Sequence, residues 1–279
     1  MKLTLHSPSG NTYQAYAYTG GKAFEANKPT VVFIHGVLND HSVWILQTRY
    51  LAHHGFNVLA VDLPGHGRSE GEAPSSVEEA AQFIEALLDA AGVKHAALVG
   101  HSWGSLIALE SAARLKERIT HLALVGTAFP MKVSPALIEA SLNEPMQALR
   151  MVNVFSRATL AAPPSALGPG TWVYGASMAL GRRLLAGNTH VNIFHRGFVA
   201  CDSYTNGLVA IAAITCPVLF LLGKEDQMTP PRAAKTLIDQ AKVSGKTFSV
   251  VQIPMGHHQM SESPEETLDA LKVFLGLTA

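Results

Sequence analysis

Three residue types in one order could perform acyl transfer in this chain. Residues 100–104 read Gly100-His101-Ser102-Trp103-Gly104, a serine between two glycines. A serine hydroxyl is a weak nucleophile and needs a base, itself oriented by an acid. Asp226 follows the apolar run 217–222, and His257 follows the run 247–253. In that order His257 would take the Ser102 proton and later give it to the leaving group. Asp226 would hold the imidazole tautomer and stabilise the imidazolium. Glu225 stands beside Asp226 and His258 beside His257 as alternatives.

The bare G-x-S-x-G pattern arises by chance in on the order of one chain in ten of this length. Its placement therefore carries the weight. It follows the apolar run 95–99 and precedes a helical stretch beginning near Ser105. A nucleophile on a tight strand-to-helix turn needs small neighbours. The helix start aims free N–H groups at the site, so the N–H of Trp103 is one expected oxyanion donor. The second is the N–H of Val37, in the His35-Gly36-Val37 turn that ends the run 30–34.

The elements that must position these groups alternate along the chain. Short β-branched runs at 30–34, 57–61, 95–99, 121–125, 217–222 and 247–253 read as strands of a buried parallel sheet. Residues 2–6 and 12–18 add two strands in antiparallel pairing. A helix over 76–91 has Val77, Ala80, Ala81, Ile84, Leu87, Leu88 and Ala91 on one face, with Ser76 and Glu79 as a capping box. A last helix starts at Ser263 with Pro264 in its first position, Glu266 completing its box, and Leu268, Leu271, Phe274 and Leu275 as its stripe. Short strand–helix alternation implies an α/β sheet covered on both faces. Sites in such sheets lie at the strands' carboxyl ends. Between Gly126 and Pro217 the rhythm breaks for longer than a loop can run. We expect a helical cap over 127–216, including the turn-rich 162–170, inserted into a core of 1–126 and 217–279.

Composition narrows the partners. The chain has 279 residues, 48% apolar, with 21 basic and 21 acidic side chains. That balance lacks the basic footprint nucleic acid wants. No stretch approaches a membrane span, and the N-terminus has no signal-peptide pattern. Two cysteines, Cys201 and Cys216, form no C-x-x-C pair, so a reducing cytoplasm is expected. Thirteen histidines show no metal-ligand spacing, and no metal or cofactor is expected. His66 and His101 are expected to be structural, and His258 to be a surface or hydrogen-bonding neighbour. A small molecule is the expected partner.

HGVLNDHSVW (35–44), DLPGHGRSEG (62–71), GHSWGS (100–105), GKEDQMTP (223–230) and GHHQMSESP (256–264) together resemble the α/β-hydrolase fold over essentially the whole chain. The resemblance implies an eight-stranded, mostly parallel sheet with a cap. It puts the family's acid on Asp226, and Glu262 and Pro264 fit the family's spacing from His257 and not from His258. Ser102 sets the chain apart from relatives with a carboxylate nucleophile. The HGGG loop of some lipases and esterases is absent, and Ser105 stands where many relatives carry Gly. The expected activity is hydrolysis of a small to medium apolar carboxylic ester. Carbon–carbon hydrolysis of dienoates, thioester, lactone or amide cleavage, and a non-catalytic receptor are the alternatives. Trp44, Trp103, Met131, Phe155 and Trp172 are the expected substrate wall, set against the possibility that such residues simply form core.

Overall fold

The computed structural model describes residues 1–6, 10, 12–25, 27–158 and 173–277. Eight strands form one sheet: β1 (Lys2–His6), β2 (Thr12–Tyr18), β3 (Thr30–Ile34), β4 (Asn57–Val61), β5 (Ala96–His101), β6 (Ile119–Val125), β7 (Val218–Gly223) and β8 (Phe248–Ile253). Their spatial order is β1-β2-β4-β3-β5-β6-β7-β8. The first two pairings are antiparallel and the remaining five parallel. β3, β4, β5 and β7 are buried at every residue, as continuous apolar runs covered on both faces require.

Two apolar layers flank the sheet. On one face α2 (Val77–Ala90) and α3 (Trp103–Leu115) pack with alternate strand residues such as Val32, Ile34 and Leu98. On the other, α1 (Ile45–His53) and the carboxyl-terminal α11 (Pro264–Phe274) cover Val31, Phe33 and Val99. Alternate strand residues point to opposite faces, so each strand feeds both layers.

Between β6 and β7 the described chain contains α4 (Pro135–Asn143), α5 (Pro145–Ser156), α6 (Val173–Gly187), α7 (Ile193–Ser203) and α8 (Gly207–Ala213). The stretch 162–170 and Trp172 lie outside the described residues. α4 to α7 meet in one cluster with Leu137, Leu149, Leu184, Phe194 and Phe198 at its centre, which Leu38 and Ala73 join from outside these helices. After β7 come α9 (Lys235–Val243) and the single turn α10 (Gln259–Glu262). No described helix is long and apolar enough to cross a membrane.

Local details depart from the expected pattern at element ends. β6 begins at Ile119 and β5 extends through His101, because main-chain pairing continues past the apolar run. α3 begins at Trp103 and not near Ser105, since Ser102 is the last residue with non-helical geometry. The Ser76 hydroxyl accepts the Glu79 N–H at 3.1 Å, but the Glu79 carboxylate returns to Ser75 instead of Ser76. Ser263 does not cap the backbone of α11, because its hydroxyl bonds the Glu266 carboxylate.

Candidate active site

Ser102 sits at φ 54°, ψ −121°, between the end of β5 and the start of α3. A non-glycine residue there is strained and persists only where its surroundings over-determine it. Here the Ser102 N–H donates to Val125 O at 2.9 Å, and the Ser105 N–H donates to Ser102 O at 2.8 Å. The flanking glycines are steric necessities. A methyl on Gly100 would lie 2.0 Å from Gly104 O, and one on Gly104 would lie 2.4 Å from Ile34 O. Only backbone that close can turn β5 into α3 beside β3. Ser105 fills its position by donating to Thr127 Oγ1 at 2.8 Å.

The carboxylate and imidazole meet at the ends of β7 and β8. His257 Nδ1 donates to Asp226 Oδ2 at 2.8 Å, and both side chains are buried. Asp226 Oδ1 accepts the N–H groups of Met228 and Thr229, each at 2.8 Å. Thr229 Oγ1 donates to Asp226 Oδ2 at 2.8 Å and lies 3.1 Å from His257 Nδ1. Burial pushes the Asp226 carboxyl up, but the His257 charge and these hydrogen bonds outweigh it and hold it at about 2. Glu225, by contrast, is exposed. With Nδ1 donating, Nε2 is left as the acceptor.

Ser102 and His257 line one cavity of about 240 Å³. No hydrogen bond joins Ser102 Oγ to the imidazole among the described residues; such contacts often tighten only when substrate binds. Val37 and Met131, Met151, Phe155 and Phe198 share the wall. The N–H groups of Val37 and Trp103 have no hydrogen-bond partner among the described residues.

The expected wall needs correction at two tryptophans. Trp44 is fully buried on the α1 side of the sheet, its ring 5.1 Å from Phe33. The Trp103 indole is likewise buried, in the α2–α3 layer, 6.1 Å from the His66 ring. Each large ring removes more apolar area from water in the core than at an open cavity. Met131 and Phe155 do line the cavity, whereas Met146, Met178 and Phe194 belong to the cluster of the inter-strand helices. Trp172 lies outside the described residues.

The histidines beside the site are scaffold. His66 is buried and donates from Nδ1 to Pro64 O at 3.0 Å. Burial and the nearby His35 charge push it down to about 3, so it is neutral. His101 packs as expected, but with a bond the sequence did not reveal: its Nε2 donates to His257 O at 2.8 Å. His258 is buried and not on the surface. Burial holds both His101 and His258 well below the ordinary histidine value, with the His257 charge next for His101 and Arg157 next for His258. Thr229 escaped sequence reasoning although an Asp followed by a hydroxyl residue at three positions is a turn signal. The Ser156 carbonyl, which accepts the His257 N–H at 2.7 Å, left no signal at all.

A larger cleft of about 890 Å³ lies apart from Ser102, walled by Asp40, Arg68, Glu72 and Arg183. Asp40, His41 and Asp62 beside it bring donor atoms within 4.8 Å of one another. Their oxygens are occupied: Asp62 accepts from His41 and the Arg68 N–H, and Asp40 accepts from Ser42 and Arg183.

The sequence model described as alpha/beta hydrolase fold matches residues 29–264. Over 112 residues the chain is 37% identical to the dihydrolipoyllysine-residue acetyltransferase component of the acetoin cleaving system of Cupriavidus necator, covering 40% of this chain and 28% of that relative. It thus spans less than a third of that protein's length. A candidate carbamate hydrolase, RutD, of Klebsiella pneumoniae (strain 342) is 27% identical over 257 residues, covering 87% of this chain and 89% of the relative. Among solved structures, an esterase of Exiguobacterium antarcticum superposes with a TM-score of 0.78 at 19% identity, over 99% of this chain and 100% of the esterase. On the family match, the eight-stranded topology and the turn at Ser102, the chain belongs to the α/β-hydrolase-fold family.

Proposed function

We propose that the chain is a serine hydrolase that cleaves a small to medium, largely apolar carboxylic ester through an acyl-enzyme on Ser102. The observation that carries this reading is the buried Asp226–His257 pair facing the cavity that Ser102 enters from a left-handed turn. His257 Nε2 takes the Ser102 proton as Oγ attacks the ester carbonyl carbon. The oxygen that gains charge accepts from the Val37 and Trp103 N–H groups. Collapse breaks the bond to the alcohol, which leaves with the proton from His257. Water then attacks the acyl carbon, its proton passing to His257 and on to Ser102 as the acid departs.

Residues 127–216 act as a cap over a core of 1–126 and 217–279 in this reading, supplying Met131, Met151, Phe155 and Phe198 to the acyl site. A cavity of about 240 Å³ favours a compact acyl group. Two buried free thiols support a cytoplasmic location. The test is hydrolysis of p-nitrophenyl esters from acetate to decanoate by wild type and Ser102→Ala. Turnover that peaks at the shorter chains and disappears in the variant is expected. Ester turnover that survives Ser102→Ala removes Ser102 from the chemistry.

A further inference from the structure

The loop that presents the Val37 N–H is tied to the end of β4, where Asp62 accepts the His41 N–H at 2.8 Å, and otherwise packs on residues outside the sheet. Gly36 fits against the nucleophile, since a methyl there would lie 3.2 Å from Ser102 Cβ. The next residues turn toward the inter-strand helices. Val37 packs on α7, where a methyl on Gly197 would sit 3.1 Å from both Val37 Cγ atoms. Leu38 takes φ 53°, a left-handed geometry costly for a branched side chain. It is buried there in the cluster of Leu137, Leu184, Phe194 and Phe198. Asp40 is buried, and its Oδ1 accepts the Ser42 N–H at 2.9 Å. Its Oδ2 accepts from Arg183 Nη2 on α6 at 2.6 Å.

Resting on the acyl-enzyme reading above, we propose that Arg183 is a positioning residue for the reaction: its ion pair with Asp40 couples the seating of the inter-strand helices to the geometry of the oxyanion loop. Three successive anchors bear on one strained stretch of backbone. Val37 and Leu38 are held by packing, which tolerates sliding, whereas the Arg183–Asp40 pair fixes direction. Arg183 is itself two-thirds exposed, yet its partner is almost fully buried, so removing the guanidinium leaves a buried carboxylate without its cation. The loop then relaxes from φ 53° at Leu38 and carries the Val37 N–H away from the carbonyl oxygen. Loss of one oxyanion donor costs about 10²–10³ in turnover, so partial misplacement should cost about tenfold. The effect should fall on kcat, because the donor matters most when the oxygen carries charge.

The test compares Arg183→Gln, Arg183→Lys and Asp40→Asn with wild type in two ways. Amide exchange by mass spectrometry reads residues 35–44 directly and needs no substrate. Ester kinetics read kcat and KM separately. In Arg183→Gln and Asp40→Asn, exchange should speed up in 35–44 more than in the sheet, and kcat should fall about tenfold with KM within threefold. Arg183→Lys should restore most of both. Arg114→Gln, which breaks an exposed pair with Glu85 far from the loop, should change neither. Unchanged exchange in 35–44, or a loss carried by KM alone, overturns the coupling. Ester turnover that survives Ser102→Ala would overturn the acyl-enzyme reading while leaving the exchange result to decide whether Arg183 holds the loop.

Discussion

Replacing Asp226 with Asn changes one atom and should separate orientation from charge. In the native chain each carboxylate oxygen accepts two bonds at 2.8 Å: Oδ1 from the Met228 and Thr229 N–H groups, Oδ2 from Thr229 Oγ1 and His257 Nδ1. The amide oxygen of Asn takes over the two backbone donors, so its NH₂ faces Thr229 and His257. The Thr229 hydroxyl can turn to accept. The imidazole must shift its proton to Nε2, where it can no longer receive the one from Ser102. Turnover should fall by up to about 10⁴, or about 5 kcal/mol of barrier. A stability change accompanies it. The Asp226 carboxyl lies at about 2 in the fold against an ordinary 3.8, a difference of about 2 kcal/mol. Between those values the unfolded chain binds more protons, so this contribution is complete above pH 4 and lost as pH falls through about 2. Wild type should therefore exceed Asp226→Asn by about 2 kcal/mol in urea unfolding at pH 7, with the gap closing toward pH 2. The assay pairs p-nitrophenyl acetate turnover at pH 7.5 with urea unfolding at pH 7, 4 and 2.5. Turnover within tenfold of wild type, or a large loss in Glu225→Gln instead, refutes the assigned acid.

The other consequences are simpler. Gly104→Ala places a methyl 2.4 Å from Ile34 O, which is backbone and cannot swing aside; stability should drop by about 3 kcal/mol, visible as a lower Tm, and an unchanged Tm would mean that the β5–α3 turn is looser than described. His66, neutral in the fold and held at about 3, leaves the unfolded chain binding the extra proton as pH falls below 6.5. Wild type should lose about 1.4 kcal/mol per pH unit from this group between pH 6 and 4, and His66→Gln should show a shallower slope by that amount in urea unfolding. Equal slopes contradict a neutral buried His66. Phe155→Ala should raise KM for the longer esters with Tm little changed, whereas Trp44→Phe should lower Tm and leave KM alone; the reverse pattern would return Trp44 to the substrate wall.

The sheet and the places of the candidate site residues on it were legible because both are local signals. Continuous β-branched runs need burial on both faces, so residues 30–34 and 57–61 read as central strands without any knowledge of their partners. The glycines around Ser102 announce a turn with no room for a Cβ at Gly100 or Gly104, and that constraint is written in the residue types themselves. The order of Ser102, Asp226 and His257, each after an apolar run, put them at one edge because parallel strands share a carboxyl end. What the tertiary structure alone decided is which side of the sheet each large ring occupies and which distant groups pair. Trp44 and Trp103 stand near site residues in sequence, yet a helix sends side chains around its whole circumference, so proximity along the chain does not choose between cavity and core. Arg183 and Asp40 lie 143 positions apart, and the Ser156 carbonyl meets the His257 N–H only after the inter-strand helices have packed. Pattern fixes a residue's local geometry; long-range contacts depend on the relative placement of whole elements, which no local spacing encodes.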